Sequence, residues 1–263
     1  MKEEQITSLQ NPKIKNLLAL EKSRERRARQ LFVIEGVQEI QHACAAGYVI
    51  ERLFFCEKII EEKEVVSFQP DVKKRTSVSN SVFQKIAVRE NSGGVIAVAQ
   101  KKAHDLSSLK LSKNPLILVL ESVEKPGNLG AVLRTADAAG ADAVIVCDPR
   151  TDFYNPNTVR ASVGGVFTNP LAQCSSEEAI AWLKKNKIAV LCAHLQASKP
   201  YFEIDFTKPC AIVLGTESEG LTKVWSEHAD ARIIIPMHGK IDSLNVSSAA
   251  AVMAFEAARQ RKK

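Results

Sequence analysis

Several features of common protein classes are absent from this 263-residue sequence. Its apolar runs, such as Leu116–Leu120, are far shorter than the roughly 20 residues that a membrane-spanning helix needs. The opening segment, MKEEQITSLQ, has none of the apolar core that a signal peptide carries. Together these absences predict a soluble, cytoplasmic protein that does not associate with a membrane.

Cysteine and histidine patterns typical of metal sites are also missing. The six cysteines occur singly, never as C-x-x-C, and the five histidines form no H-x-x-x-H pair. Such spacing disfavours both a zinc site and a disulfide framework. Since most of the cysteines have apolar neighbours, we expect small core residues and no bound metal.

The glycine pattern excludes two common phosphate-binding loops. No two of the twelve glycines are separated by a single residue, so the dinucleotide fingerprint G-x-G-x-x-G is absent. The loop G-x-x-x-x-G-K-[ST] and the hydrolase elbow G-x-S-x-G do not occur either. The sequence therefore argues against a NAD-dependent enzyme, a P-loop ATPase and a serine hydrolase.

What the sequence does contain is an ordinary globular composition with unevenly distributed charge. Hydrophobic residues make up 45% and charged residues 25%, which predicts one large or two modest domains. Residues 1–103 hold 18 Lys and Arg against 13 Asp and Glu, whereas residues 104–263 hold 18 against 17. Of the net charge of +6, the front part thus carries +5 and the rest +1.

The front part alternates short helical and strand-like segments, and the polar, aperiodic stretch 104–114 follows it. We therefore predict a small α/β domain over 1–103, a linker over 104–114 and a second domain over 115–263. The elements expected in the first domain include a helix over 12–30, strand Leu31–Ile34, a helix over 37–46, strand Val49–Phe55 and strand Val95–Ala99 after the turn at 91–94.

The second domain contains continuous apolar runs separated by helical segments. Runs of this kind are typical of strands buried on both faces, as in a parallel sheet covered by helices. The last segment, from Val246 to Ala257, has apolar residues at helical spacing and predicts an amphipathic helix. The predicted strands are Leu116–Leu120, Val144–Cys147, Ile188–Ala193, Ala211–Leu214 and Ile233–Ile235.

Ligands of open α/β sheets bind beyond the carboxyl ends of the strands, which draws attention to three loops. The first spans Glu121–Gly130 and leads into a helix that carries Arg134. An ordinary strand-to-helix turn with a surface arginine explains this segment equally well. The second is Gly215–Gly220, whose acids suit a helix N-terminus. The third is Pro236–Asn245, in which either Ser243 or Asn245 is explained as a cap of the last helix, although two such residues are more than a cap requires.

Taken together, the loops resemble the three sequence motifs of the SpoU (TrmH-like) branch of the SPOUT superfamily. The matching stretches are Pro126–Ala136, Leu214–Leu221 and Ile235–Ser247, with the R-x-S-x-G segment at Val159–Gly165 between them. Members of this branch are S-adenosylmethionine-dependent RNA ribose 2′-O-methyltransferases. The front part, including Glu35-Gly36, is similar to the substrate-binding domain that many of them carry.

The resemblance implies the fold and the site. The fold is α/β, with a C-terminal SPOUT-type parallel sheet threaded into a trefoil knot and a smaller N-terminal α/β sandwich domain. Members are usually homodimers with the site at the dimer interface. The implied pocket for S-adenosylmethionine uses Gly215, Thr216, Ile235, Met237, Leu244 and Val246. The implied catalytic residues are Asn128, Arg134, Glu217, Ser243 and Asn245.

Arginine is a poor base because its intrinsic pKa is above about 12. We therefore expect Arg134 to orient the ribose hydroxyl and the adjacent phosphate, with direct proton abstraction left open. A cationic cluster is the candidate RNA contact, although a solvated helix face with Glu21 and Glu25 as partners explains it equally well. It consists of Lys22, Arg24, Arg26, Arg27 and Arg29, to which Arg160 of the R-x-S-x-G segment is added.

Three functions follow from these observations. The leading one is an RNA ribose 2′-O-methyltransferase that acts on ribosomal RNA, because the separate front domain is typical of members that modify rRNA. The second is a tRNA enzyme of the same family, and the third is a non-catalytic RNA-binding or ribosome-assembly protein that keeps the fold.

Overall fold

The structure is a computed structural model that describes residues 5–69, 71–89, 92–195, 199–216 and 219–262. The chain divides into two compact units. The first comprises Met1–Lys102 together with Tyr154–Thr168, and the second comprises Ala103–Phe153 together with Asn169–Lys263. This division departs from the predicted domain boundaries, because Tyr154–Thr168 belongs to the first unit.

Eleven helices and eleven strands are present in the described part of the chain. The helices are α1 (Pro12–Ala19), α2 (Ser23–Arg29), α3 (Val37–Ala45), α4 (Glu62–Phe68), α5 (Asn80–Ile86), α6 (Pro126–Ala139), α7 (Pro156–Ser162), α8 (Gly165–Thr168), α9 (Ser176–Lys185), α10 (Lys223–His228) and α11 (Val246–Arg261). The strands are β1 (Leu31–Glu35), β2 (Ile50–Phe55), β3 (Arg75–Ser77), β4 (Val95–Gln100), β5 (Leu116–Glu121), β6 (Ala143–Cys147), β7 (Leu171–Cys174), β8 (Ala189–Ala193), β9 (Lys199–Pro200), β10 (Cys210–Leu214) and β11 (Ala231–Ile234).

The first unit is built on a four-stranded sheet in the order β1-β4-β2-β3. Strand β4 runs antiparallel to β1 and β2, whereas β2 and β3 are parallel. The three longer predicted strands of this unit are present, and the predicted helix over 37–46 is α3. The residues just before β4 include Asn91, which lies outside the described residues.

The single helix predicted over 12–30 is two helices, and Arg26 explains how the break is stabilised. Its side chain is only 1% exposed. The guanidinium donates to the carbonyl oxygens of Leu20 (3.0 Å) and Glu21 (2.6 Å), which lie just beyond the end of α1. Carbonyls at a helix end lack intrahelical partners, so Arg26 satisfies them. Arg26 therefore has a structural role at this helix end, and its side chain is buried, unlike the exposed members of the predicted RNA-contact cluster.

Residues 154–168 complete an aromatic cluster of the first unit. The ring of Tyr154 lies 4.2 Å from that of Phe32, measured between centroids, and its hydroxyl lies 3.1 Å from the hydroxyl of Tyr48. Phe167 packs edge-on against Tyr48 at 5.2 Å. All four rings are buried. The segment thus covers apolar surface that the front sheet does not cover by itself.

The second unit is built on a seven-stranded sheet in the order β7-β6-β5-β10-β8-β11-β9, in which all neighbours are parallel. Every residue of β5, β6 and β10 is buried. Helices α6 and α11 pack together on β5, β6 and β10, and α9 and α10 pack on β6 and β8. Cover on both faces explains the continuous apolar runs, so the predicted parallel sheet is confirmed. The trefoil knot stays a prediction.

The stretch 104–114, predicted as a linker, is part of the second unit. Leu106, Leu109 and Leu111 pack against the core between the sheet and α9.

Four of the six cysteines are buried, and Cys44 and Cys174 are half-buried. Burial raises the pKa of the Cys192 thiol to about 12, with a smaller contribution from the charge of Glu121.

In the part of the chain that the structure describes, no helix has the length and apolar character needed to cross a membrane.

Helix α11 carries the apolar face that its sequence predicts. Ala250, Met253, Ala254 and Ala257 are buried. At its last turn the guanidinium of Arg261 donates to backbone carbonyl oxygens that lie beside the amino ends of β5 and β10. These acceptors are Phe206 (2.8 Å), Lys208 (2.8 Å), Asn114 (2.6 Å) and Pro115 (3.2 Å).

Candidate active site

A cavity of about 820 Å³ lies beyond the carboxyl ends of β8, β10 and β11 and beside the first turns of α11. This is the edge of the sheet at which α/β proteins bind ligands. The six residues of the predicted cofactor pocket all line the cavity, and so do Ser243 and Asn245 of the predicted catalytic set. The six are Gly215, Thr216, Ile235, Met237, Leu244 and Val246.

The loop after β10 is tightly closed. Thr216 and Gly220 exchange two backbone hydrogen bonds of 3.1 Å, and the Thr216 hydroxyl accepts from the backbone N–H of Glu219 at 3.1 Å. A Cβ atom on Gly215 would lie 2.2 Å from the backbone of Gly220, so only glycine fits there. Glu217, one of the implied catalytic residues, lies outside the described residues.

Asn245 has two roles at the start of α11. Its Oδ1 caps the helix by accepting from the backbone N–H of Ser247 at 2.9 Å. Its Nδ2 donates to Oδ1 of Asn128 at 3.2 Å, although the two residues are 117 positions apart. The helix-cap interpretation and the active-site interpretation of Asn245 are therefore compatible.

A smaller recess of about 180 Å³ adjoins the cavity. The two share Gly215, Thr216 and Val246 as lining residues. The first loop contributes polar groups, among them the side chains of Lys125 and Asn128. A large cavity thus opens beside a small recess, and both have apolar and polar lining residues. This arrangement suits a nucleoside-like ligand next to a hydroxyl-bearing one.

Arg134 occupies a different position from the rest of the predicted catalytic set. It lies on α6, roughly 9 Å along the helix axis from Asn128, and its side chain is exposed. Neither cavity has Arg134 among its lining residues. Ser243 lies at the rim of the larger cavity, where its hydroxyl donates to Asp242 at 3.2 Å. Within one chain the structure therefore gathers Asn128, Ser243 and Asn245, but not Arg134.

Comparison with known proteins identifies the family. A model of the SpoU rRNA Methylase family matches residues 115–255, more than half of the chain. The chain belongs to the SpoU rRNA methylase family. A model of the MRM3-like substrate binding domain matches residues 11–97 in the first unit.

Full-length relatives of the SpoU family resemble the chain over both units. A 23S rRNA (guanosine(2553)-2′-O)-methyltransferase of Bacillus subtilis is 28% identical over 95% of this chain and 98% of its own. A 23S rRNA (uridine(2479)-2′-O)-methyltransferase of Streptomyces viridochromogenes is 30% identical over 97% and 92%. The AdoMet-bound rRNA methyltransferase of Sinorhizobium meliloti superposes with a TM-score of 0.88 at 32% identity, over 97% of both chains.

The SpoU motifs did not single out Glu121, whose carboxylate is buried. Glu121 ends β5, is only 3% exposed and lines the smaller recess. Its Oε1 accepts from the hydroxyls of Thr222 (2.6 Å) and Ser176 (3.2 Å), and its Oε2 accepts from the backbone N–H of Thr222 at 2.8 Å. The signal in the sequence was a single charged residue that closes the apolar run LILVLE.

The predicted RNA-contact cluster is reduced to an exposed group on and beside α2. Arg29 pairs with Glu25 at 2.9 Å and donates to Asn16 at 3.0 Å. Arg160 is half-buried on α7, where its guanidinium donates to Asn157 at 3.0 Å. The exposed residues are Lys22, Arg24, Arg27 and Arg29.

Metal-ligating residues do not cluster in the described ranges. No group of three or more His, Cys, Asp or Glu side chains that would hold an ion occurs among them.

Proposed function

We propose that this SpoU-family protein is an enzyme that transfers a methyl group from S-adenosylmethionine to a ribose 2′-hydroxyl of ribosomal RNA. The observation that carries the proposal is the cavity at the sheet edge, because all six residues of the implied donor pocket line it. The adjoining recess places Asn128 next to that cavity.

The residues of the cavity fit the proposed cofactor. Ile235, Met237 and Leu244 offer apolar surface for an aromatic base. The loop after β10 brings backbone N–H and C=O groups close to a bound molecule, since Gly215 has no side chain that would keep the molecule away from the backbone. A volume of about 820 Å³ is within the roughly 300–1,000 Å³ of small-molecule sites.

The chemistry requires positioning and the loss of a proton. When bound, S-adenosylmethionine would supply a methyl group to the ribose oxygen, with S-adenosylhomocysteine as the leaving group and with the hydroxyl proton passing to solvent. Asn128 and Asn245, already in contact, would hold the ribose at the recess. Since arginine is a poor base, Arg134 would orient the hydroxyl and its phosphate. Orientation of this kind supplies much of the acceleration of such reactions.

The position of Arg134 supports a homodimer with the active site at the interface. Arg134 is exposed on α6 and lines neither cavity of its own chain. In a dimer the surface of a second chain would complete the site. Light scattering should therefore give twice the mass of one chain, whereas a monomer at micromolar concentration would contradict this arrangement.

Ribosomal RNA is the favoured substrate because the chain matches full-length rRNA enzymes over both of its units. The exposed cations Lys22, Arg24, Arg27 and Arg29 would contact phosphates, with Arg160 as a further contact. The expected site of action is the cytoplasm. A tRNA substrate and a non-catalytic role in ribosome assembly are the two alternatives that the experiment separates.

The test is transfer of label from S-adenosylmethionine to unmodified rRNA, to ribosomal particles that contain this rRNA and, separately, to tRNA transcripts. We expect label in the rRNA pool with the wild type and at least a 100-fold lower rate with Arg134→Ala. Arg259→Ala, on an exposed arginine of α11, is the matched control and should retain wild-type activity. Label in tRNA alone would favour the tRNA enzyme. No label in either pool or in ribosomal particles would favour the non-catalytic role.

A further inference from the structure

The buried carboxylate of Glu121 holds the exit of the loop that lines the cofactor cavity. The described residues of this loop are 215–216, directly after β10, and 219–221, directly before Thr222. Thr222 donates to Glu121 twice, from its hydroxyl (2.6 Å) and from its backbone N–H (2.8 Å). The hydroxyl thus bonds to Glu121, and in the described chain it forms no side-chain cap on α10, the helix that it precedes.

The entrance of the loop is held by Leu120, the residue before Glu121 in β5. Leu214, the last residue of β10, pairs with Leu120 in the parallel ladder between β10 and β5. Consecutive residues of β5, Leu120 and Glu121, therefore fix the two ends of the loop. The first does so through the sheet, and the second does so through a side chain.

A second set of contacts holds Glu121 itself. The Ser176 hydroxyl, 2% exposed at the start of α9, lies 3.2 Å from Glu121 and 2.6 Å from Asp148. It also accepts from the indole N–H of Trp225 at 3.0 Å. Trp225 is fully buried on α10, one turn after Thr222. The network thus connects the carboxyl end of β5 to α9, to α10 and to the loop.

Burying a charged group costs free energy unless it is hydrogen-bonded, and here the donors come from the loop exit and from α9. An apolar residue at position 121 would fill the same space without holding Thr222. The carboxylate therefore fixes the position of the loop exit at Thr222, in addition to filling space in the core.

We propose that Glu121 is a positioning residue for the methyl donor: acting through Thr222, it holds residues 219–221, the described exit of the loop after β10, in the shape that lines the cofactor cavity. This inference rests on the proposed function, since it concerns the same cavity. Its loss should weaken donor binding more than it slows the chemical step. We expect the dissociation constant and the KM for S-adenosylmethionine to rise roughly 10-fold to 100-fold, with kcat changed less than 5-fold.

The experiment measures S-adenosylmethionine binding by calorimetry and KM against kcat on full-length protein. The variants are Glu121→Gln, Thr222→Val and Thr222→Ser. The first two should weaken binding, whereas Thr222→Ser keeps the hydroxyl and should stay within about 3-fold of the wild type. Thr222 is exposed, so its variants fold even where a change at the buried Glu121 does not.

Asp142→Asn is the matched control for stability. The Asp142 carboxylate accepts from the backbone N–H groups of Leu116 (2.8 Å) and Ser112 (2.9 Å) at the amino end of the same strand β5. Its loss should lower the melting temperature but leave donor affinity unchanged, because that end of the sheet lies away from the cavity.

Three results would overturn the inference, and they are distinguishable. Donor binding by Glu121→Gln and Thr222→Val equal to that of the wild type would refute the positioning role and leave the proposed function intact. Equal weakening by Asp142→Asn would show a general loss of stability. Absence of binding to the wild type at millimolar donor would refute the proposed function itself, and this inference with it.

Discussion

Single residues determine the shape of the cavity at the carboxyl end of the sheet, and Gly215 is the sharpest case. A Cβ at this position would meet the backbone of Gly220 at 2.2 Å and the backbone nitrogen of Leu221 at 2.5 Å. Backbone atoms cannot move aside as the end of a flexible side chain can. The loop must therefore change shape if any other residue replaces Gly215.

Gly215→Ala should weaken S-adenosylmethionine binding at least 10-fold, because the displaced loop no longer lines the cavity. Calorimetry on the folded variant measures this. Gly239→Ala is the control, since a Cβ on Gly239 meets nothing within 4 Å. Wild-type affinity in Gly215→Ala would disprove the close-packing argument.

Residue roles were predictable where a motif singled them out and not where tertiary contacts decide them. The cavity-lining residues followed from the family resemblance. The contact between Asn128 and Asn245 joins two distant loops, so neither loop alone indicates it. Arg26 looks like its cationic neighbours in the sequence, and only its packing under the end of α1 distinguishes it.

At the scale of elements, burial on both faces made the central strands predictable. Each is a continuous apolar run with no competing helical periodicity. Strands β7 and β9 were missed because they have only four and two residues at the two edges of the sheet. The break between α1 and α2 was missed because neither glycine nor proline marks it.

Helix α11 should depend on its last turn for stability. Arg261→Ala removes donors to four backbone carbonyls and should lower the free energy of unfolding by about 2–3 kcal/mol. Arg259→Ala, which loses one exposed ion pair with Glu256, should cost below about 1 kcal/mol. Urea unfolding measures both free energies. Equal losses would contradict the stabilising role of Arg261 at the amino ends of β5 and β10.

At the scale of the whole molecule, the chain does not divide at a single boundary. The change in composition near residue 103 marked the end of the front segment. Nothing in the local sequence reveals that Tyr154–Thr168 packs with the first unit, because apolar residues in a short segment do not indicate which core they join. The pairing appears only when the aromatic rings are placed in space.

A fragment of residues 1–102 should therefore be unstable by itself. It lacks Tyr154 and Phe167, so the rings of Phe32 and Tyr48 lose their cover. We expect broad thermal unfolding and binding of a hydrophobic dye. Fusing residues 154–168 to this fragment through a glycine-serine linker should restore a sharp transition, and a sharp transition in the unfused fragment would refute the shared core.

The proposed reaction methylates a ribose of RNA at the cavity beyond the carboxyl ends of β8, β10 and β11. Its most direct test is the identity of the methylated nucleoside formed on rRNA, determined by alkaline hydrolysis and mass spectrometry. We predict a 2′-O-methylnucleoside within an alkali-resistant dinucleotide, because methylation removes the hydroxyl that attacks the phosphate. A methyl group on a base, next to an alkali-labile phosphodiester, would contradict transfer to the ribose.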